Sequence, residues 1–433
     1  RLTDEDTVIY ADTSMCEGVS KKEAHDRFKK NLYLKLQGDT GKNLPWGYLT
    51  GVRPSKIAYS MLEAGNSDEE IMSEFEEKHF VSHDKAELAM QVAKTEKKIL
   101  EDIDYTNGYS IYIGIPFCPT TCLYCSFTSY SLAANRSKVD LYLDALVKEM
   151  RFVADRMKGR RLDTVYFGGG TPTTLEPEQL DRLLNELEAD FDMSTVKELT
   201  VEAGRPDSVT VQKLEVLKKH GVDRISINPQ TMNDKTLEII GRRHSATQVE
   251  EAFKLARSVG FDNINMDIIL GLPGEGINEL RYTLDKIKEL KPESLTVHSL
   301  AIKRAAALNI WREKYEDLKF ENSDETVSLA QKYAGDIGCI PYYMYRQKNM
   351  AGNLENVGYS VPEKECIYNI LIMEEKQTII AMGAGASTKA VFDADQPGPR
   401  IERVENVKDL TSYISRIDEM IERKRIFFDN NML

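Results

Sequence analysis

Cysteine, histidine and tryptophan are scarce in this 433-residue chain, at six, six and two residues. Six cysteines in so long a chain exclude the disulfide framework that staples small secreted domains. No run approaches the roughly 18 apolar residues that cross a bilayer, and the opening Arg1-Leu-Thr-Asp-Glu-Asp6 is too charged for a signal peptide. Positive charge is also short: 57 Lys and Arg against 70 Asp and Glu leave a formal charge of −13, which argues against nucleic acid held by bulk electrostatics. Low-complexity tracts are missing, as are internal repeats beyond a β/α alternation, so no solenoid is expected. The 41% hydrophobic and 29% charged content is that of a globular protein, and the length exceeds one ordinary core.

Against that background three of the six cysteines fall within eight residues, Cys118-Pro-Thr-Thr-Cys122-Leu-Tyr-Cys125. Thiolate-rich ligation selects iron–sulfur or zinc, and a closed site needs four ligands. Neither a fourth Cys nor a His occurs nearby. A cubane on three thiolates leaves one iron for a ligand that is not protein, which points to chemistry rather than scaffolding. The competing reading is a zinc loop completed by a distant His220, His244 or His298. A thiolate cluster requires a reducing compartment, so the expected location is cytoplasmic. Cys16, Cys339 and Cys366 read as packed or semi-exposed thiols.

Periodicity divides the chain in three. Residues 1–107 read as an α-helical N-terminal domain, with Ile71, Met72 and Phe75, then Leu88, Val92 and Ile99, at helical spacing and loops at Pro45-Trp46-Gly47 and Gly51-Val-Arg-Pro54. Residues 108–303 alternate short β-rich runs (110–115, 164–167, 198–201, 224–227, 264–269 and 294–298) with amphipathic helices (139–157, 177–190, 209–220, 247–259 and 277–290). Six such units imply a parallel sheet, as a curved partial barrel or a flat doubly wound sheet. Residues 304–433 read as an α+β region, with a helix at 324–337, strands at 342–345, 368–374 and 378–381, and a helix at 407–423.

Candidate functional residues fall at or just past the ends of the expected core strands, where parallel α/β folds place ligands. Gly168-Gly169-Gly170-Thr171 lets backbone come close to a ligand and, lacking a following Lys, is no phosphate-binding P-loop. Glu202 ends an apolar strand, where it binds a ligand or caps the next helix. Gln230 follows strand four, and Arg242-Arg243 pairs either with a carboxylate or with solvent. Asp267 lies within a hydrophobic strand, where an unpaired carboxylate would be costly and a partner is required. Tyr112 and Tyr124 flank the thiols, as ligand contacts or core, and Ala301 is small where a ligand would approach.

The Cys spacing, with an aromatic before the last Cys, resembles that of radical S-adenosylmethionine (SAM) enzymes. Tyr112-Ile-Gly-Ile-Pro-Phe-Cys118 is similar to their oxygen-independent coproporphyrinogen III oxidase branch, and residues 46–57 and 342–349 look like its HemZ-type members. The resemblance implies a partial (β/α)6 TIM-like barrel and a [4Fe-4S] cluster on Cys118, Cys122 and Cys125. It further implies SAM on the cluster's open iron, cleaved to a 5′-deoxyadenosyl radical. Tyr112, Tyr124, Gly169, Gly170, Thr171, Glu202, Asp267 and Ala301 are the implied contacts. Gln230 and Arg242 match positions that hold a second SAM in the oxidases. Gly114 stands where those oxidases carry His, so one or two SAM molecules are expected, and Asn228-Pro229 stands where Gly-Val is commoner, a change that reshapes the loop.

The implied activity is decarboxylation of coproporphyrinogen III propionates to vinyl groups in haem biosynthesis. Alternatives are radical methylation or ring opening of haem, and a haem-binding chaperone. Expected partners are the tetrapyrrole and a reductant such as flavodoxin or ferredoxin, with no nucleic acid and no membrane span. Arg205, Lys303, Arg304, Arg346 and Lys348 are candidate cations for substrate carboxylates by position.

Overall fold

The computed structural model describes residues 2–4, 7–10, 20–51, 53–301, 322–347, 354–394 and 398–431. They fall into two compact units divided after residue 94. In the first, an antiparallel hairpin of Leu2–Asp4 and Thr7–Tyr10 precedes the helices, a feature the helical reading did not include. Helix α1 (Lys21–Thr40) starts at a reciprocal cap, Ser20 with Glu23, and ends at Gly41 with φ 68°. Helices α2 (Ser55–Glu63), α3 (Asp68–Ser73) and α4 (His83–Glu101) follow. The loop before α2 buries Trp46, and Gly47 is required beside it because a Cβ there would lie 1.9 Å from the His79 carbonyl oxygen.

In the second unit six strands pair in parallel and in sequence order: β1 (Tyr109–Ile115), β2 (Leu162–Gly169), β3 (Glu198–Glu202), β4 (Arg224–Ser226), β5 (Ile264–Leu270) and β6 (Ser294–Ser299). The connections carry α5 (Val139–Arg156), α6 (Pro177–Asp190), α7 (Val211–Lys219), α8 (Asp234–Ile239), α9 (Ala246–Val259) and α10 (Ile277–Leu290). A doubly wound sheet reverses its strand order part-way, whereas a barrel winding does not. The unreversed order therefore sets the flat alternative aside.

The region beyond residue 303 adds β7 (Ile340–Tyr345), β8 (Asn356–Ser360), β9 (Thr378–Met382), β10 (Ser387–Phe392) and β11 (Arg400–Glu405). These extend the same sheet, in the order β7-β8-β6-β5-β4-β3-β2-β1-β9-β10-β11. Because β8 takes the outer edge of β6 and β9 that of β1, the six-stranded barrel stays partial.

The stretch 368–374, expected as a strand, is instead the helix α12 (Ile367–Glu374). Its apolar run suits either state, and the tertiary partner decides. Buried Glu198 of β3 accepts hydrogen bonds from the amides of Ile367 (2.6 Å) and Tyr368 (3.3 Å), satisfying donors that a helix start leaves open. The expected final helix is two, α13 (Leu410–Ser415) and α14 (Ile417–Asn431), after α11 (Asp324–Asp336) earlier in the region. Strands β8, β10 and β11 were not anticipated; β11, Arg-Ile-Glu-Arg-Val-Glu, carries the charge that protects a sheet edge.

Alternation along the core strands positions the site. Ile111, Ile113 and Ile115 of β1, Val165 and Phe167 of β2, and Leu199 and Val201 of β3 are buried apolar residues, each worth about 1.5–3 kcal/mol. The intervening residues point the other way and are largely polar: Ser110 and Tyr112, Thr164 and Tyr166, Thr200 and Glu202, Arg224 and Ser226, Asn265 and Asp267, Thr296 and His298. Hydrogen bonds among them, such as Thr164 to Ser110 (2.8 Å), Tyr166 to Glu202 (2.6 Å) and Thr296 to Asn265 (3.1 Å), place them in one shared interior.

Candidate active site

The thiol loop leaves the end of β1 and is tied down at several points. Gly170 N–H donates to the Ile115 carbonyl (2.8 Å) and Thr171 N–H to that of Phe117 (2.7 Å). A Cβ on Gly170 would lie 2.5 Å from the Phe117 oxygen, so the approach demands glycine. With those two amides engaged, the loop offers a ligand carbonyl acceptors rather than an anion cradle. Downstream, Leu123 N–H donates to the Ile240 carbonyl (2.9 Å), and Leu123 packs with Leu237, Ile240, Leu272 and Leu300.

Cys118, Cys122 and Cys125 are unpaired and line one cavity of about 260 Å3. Burial, reinforced by the neighbouring thiols, pushes Cys118 up to about 11 although the Thr171 hydroxyl 3.6 Å away opposes it; Cys125 is raised mainly by burial. Among the described residues no three His, Cys, Asp or Glu side chains stand in metal-ligating geometry. The distant histidines have other neighbours. His220 bonds Glu188 (2.7 Å) and Asp181 (2.9 Å), His244 lies 3.8 Å from Asp207, and His298 is on the far wall of the cavity.

That cavity also gathers Tyr124, Gly169, Gly170, Thr171, Glu202, Gln230, Arg242, Asp267 and Ala301. Tyr112 lies apart from it, packed against the stacked pair Tyr166 and Tyr368 at centroid distances of 6.2 and 6.3 Å and lining a smaller adjoining cavity. Glu202 receives the Tyr166 hydroxyl at 2.6 Å. Burial, with help from Asp267, pushes Glu202 up to about 7 against that hydrogen bond. Asp267 goes the other way: burial opposes its charge, but His298 and Asn265 (2.6 Å) hold it below the usual carboxylate range. His298 stands 3.7 Å from Asp267 and 3.5 Å from the Tyr345 hydroxyl. Gln230 adopts φ 65°, its backbone bonded on both sides to β5, and its buried Oε1 has no hydrogen-bond partner among the described residues.

Arg242 is a buried strut. Its Nη1 donates to the carbonyls of Asn228 (2.5 Å) and Gly204 (3.3 Å), and Nη2 to the Tyr124 hydroxyl (3.3 Å). Arg205 also lines the cavity, with its guanidinium already engaged: Asp207 grips it at 3.1 and 3.0 Å, and it donates into the thiol loop at Thr120. Arg346 is buried and does not line the cavity, while Lys303, Arg304 and Lys348 lie outside the described residues. Sequence reasoning noted Asn228 only as a departure from the commoner Gly, not as a site residue, whereas its Oδ1 accepts from Asp267 N–H (3.2 Å), and it weighed His298 only as a remote zinc ligand. Strand alternation, carried two residues past β4 and along β6, would have pointed both inward.

Three thiols outside any disulfide and the unpartnered Gln230 amide oxygen, together on one cavity, suit a ligand with amino and metal character. A family model for the radical SAM superfamily matches residues 112–287. Along 94% of this chain and 82% of its own length, the oxygen-independent coproporphyrinogen-III oxidase-like protein HemZ of Bacillus subtilis is 42% identical. The chain belongs to the radical SAM superfamily, in its HemZ-like branch. Membership implies a [4Fe-4S] cluster and SAM. The heme chaperone HemW of B. subtilis is 39% identical over 45% of this chain and 50% of its own. Escherichia coli coproporphyrinogen III oxidase, a radical SAM enzyme, superposes with a TM-score of 0.57 over 75% of this chain and 72% of its own at 22% identity, a likeness of fold. No helix among the described residues is long and apolar enough to cross a membrane.

Proposed function

We propose that this protein oxidatively decarboxylates the propionate side chains of coproporphyrinogen III to vinyl groups. The observation that carries the reading is the convergence of the three-thiol loop with Glu202, Gln230, Asp267 and His298 at the strand ends of one cavity, in a chain matched nearly end to end by an oxidase-like relative. Cys118, Cys122 and Cys125 would hold the cluster. Gly169 to Thr171 carbonyls and Glu202 would accept from the amino and ribose donors of SAM, and Gln230 Oε1 from one more. With both present, the family's chemistry would supply a radical able to remove a hydrogen atom from an unactivated carbon; loss of carbon dioxide and passage of one electron to an external one-electron acceptor would complete the vinyl group.

The chain's own groups set the stage for that event. Arg242 and the Leu123 cluster fix the thiol loop to the ends of β3 and β4. Asp267, anionic and braced by His298 and Asn265, presents an acceptor to pyrrole N–H or hydroxyl donors. Glu202, raised to about 7, is available near neutral pH both as a carboxylate acceptor and as a carboxylic acid donor, the two forms differing by one proton. We read one SAM site: both terminal nitrogens of Arg242 already serve Asn228, Gly204 and Tyr124, with only Nε unpartnered among the described residues, and a Cβ at Gly114 would meet the Met382 carbonyl at 3.3 Å.

The test is anaerobic incubation of coproporphyrinogen III with reconstituted protein, dithionite and SAM, followed by mass spectrometry. The expected product has lost two molecules of carbon dioxide and the accompanying hydrogens. Stoichiometric haem binding without 5′-deoxyadenosine would contradict the oxidase reading and favour a chaperone; added methyl mass would favour methylation.

A further inference from the structure

Arg205 is 2% exposed, and its guanidinium is held in one orientation. Asp207 takes one edge of the fork, Nε to Oδ1 at 3.1 Å and Nη2 to Oδ2 at 3.0 Å. A planar fork gripped in this way does not swing, so the direction of its third nitrogen is set. That nitrogen, Nη1, enters the thiol loop, reaching the Thr120 carbonyl (3.2 Å), the Thr120 hydroxyl (3.1 Å) and Cys122 Sγ (3.8 Å). Asp207 is faced on its other side by buried His244. A lone surface arginine would be screened; this one is desolvated, anchored and aimed at sulfur.

Hydrogen bonds to the ligating sulfurs and fixed charge nearby set the potential of a thiolate-held cluster. We propose that Arg205, oriented by Asp207, is a positioning residue that raises the reduction potential of the cluster on Cys118, Cys122 and Cys125, bringing it within reach of a low-potential one-electron donor. The inference rests on the radical SAM reading of that loop. Reduction adds one negative charge to the cluster, and a cation directed at a coordinating sulfur favours the reduced form. Asp207 sits on the far edge of the fork and partly offsets that cation, so the two residues act with opposite sign on one equilibrium. A purely structural pair would disturb the loop in the same sense whichever member was changed.

The experiment is a dithionite redox titration of the full-length, anaerobically reconstituted protein without SAM, followed by electron paramagnetic resonance, with iron and sulfide per chain measured in parallel. Arg205→Gln is expected to make the cluster about tenfold harder to reduce, which for one electron is about 59 mV more negative. Asp207→Asn is expected to shift the potential positive of wild type, and Arg205→Lys to fall between Arg205→Gln and wild type. Equal potentials in wild type and both Arg205 variants, or shifts of the same sign from Arg205→Gln and Asp207→Asn at full cluster content, would overturn the proposal. If Arg205→Gln does not hold a cluster, the other two variants decide: Asp207→Asn above wild type with Arg205→Lys below supports it, and any other order overturns it. Wild-type protein that assembles no [4Fe-4S] cluster would overturn the reading of the loop itself, a distinct outcome.

Discussion

Glu198 and Glu202 lie on the same strand and the same face, four residues apart, at opposite ends of the barrel. At the lower end Glu198 is buried and saturated: it accepts from the Cys366 thiol and from the amides of Ile367 and Tyr368, and it starts a helix. At the upper end Glu202, among the described residues, has only the Tyr166 hydroxyl and faces the cavity. The C-terminal region closes one end, where Gln377 likewise bonds Ser110 (2.6 Å) and Asp163 (2.6 Å). The other end keeps thiols, an amide oxygen and a carboxylate displaced to about 7. The chemistry of the side chain is the same at both ends; the number of partners separates scaffold from site.

The largest effect should come from the open end. Replacing any of Cys118, Cys122 or Cys125 by Ala should abolish cluster assembly and SAM cleavage, read by iron content and 5′-deoxyadenosine, while urea unfolding of the metal-free chain changes little. Glu198→Ala should do the reverse. Losing a buried carboxylate that satisfies three donors should cost roughly 3 kcal/mol in urea unfolding, with SAM affinity of the folded fraction unchanged. Loss of SAM affinity there would break the division between the two ends.

Glu202→Gln should weaken SAM binding about tenfold to a hundredfold, the range for one charge-assisted hydrogen bond, measured by equilibrium binding to the reconstituted protein. The same variant tests the displaced acidity. Glu202 is raised from 4.5 to about 7, so the folded state holds its proton more tightly than the unfolded chain. Its contribution to stability is fully present below pH 4.5 and is lost as pH rises through about 7, amounting to about 2 kcal/mol between pH 5 and pH 8. Glu202→Gln should flatten that part of the stability profile; an unchanged slope would show that burial does not displace the carboxyl. Smallest of all, Gly114→Ala should leave the SAM stoichiometry at the one per chain proposed above, since it adds only a methyl group beside the Met382 carbonyl; two SAM per chain in either form would overturn the one-site reading.

The open end was the more legible of the two. A thiol triplet, a glycine run and polar residues at strand ends are local signals, and they fall on the cavity lining with the exception of Tyr112. Alternation of Ile111, Ile113 and Ile115 with polar neighbours exposed the core strands in the same way. The closed end depends on distant partners. Nothing in Ile367-Tyr-Asn-Ile-Leu-Ile-Met373 says helix until Glu198, 169 residues earlier, supplies the carboxylate that starts it. Arg205 was half legible for a related reason: a guanidinium after a strand end does reach the cavity, but the grip of Asp207, two residues on, shows only in the fold.

The central claim is that the thiol loop holds a four-iron cluster with one iron open to SAM. Mössbauer and electron paramagnetic resonance spectra of anaerobically reconstituted wild-type protein, with and without SAM, test it most directly. The account predicts a [4Fe-4S] cluster in which one iron becomes spectroscopically distinct, and the reduced signal shifts, when SAM is added. Zinc in the site, or a cluster whose spectra SAM leaves unchanged, would contradict it.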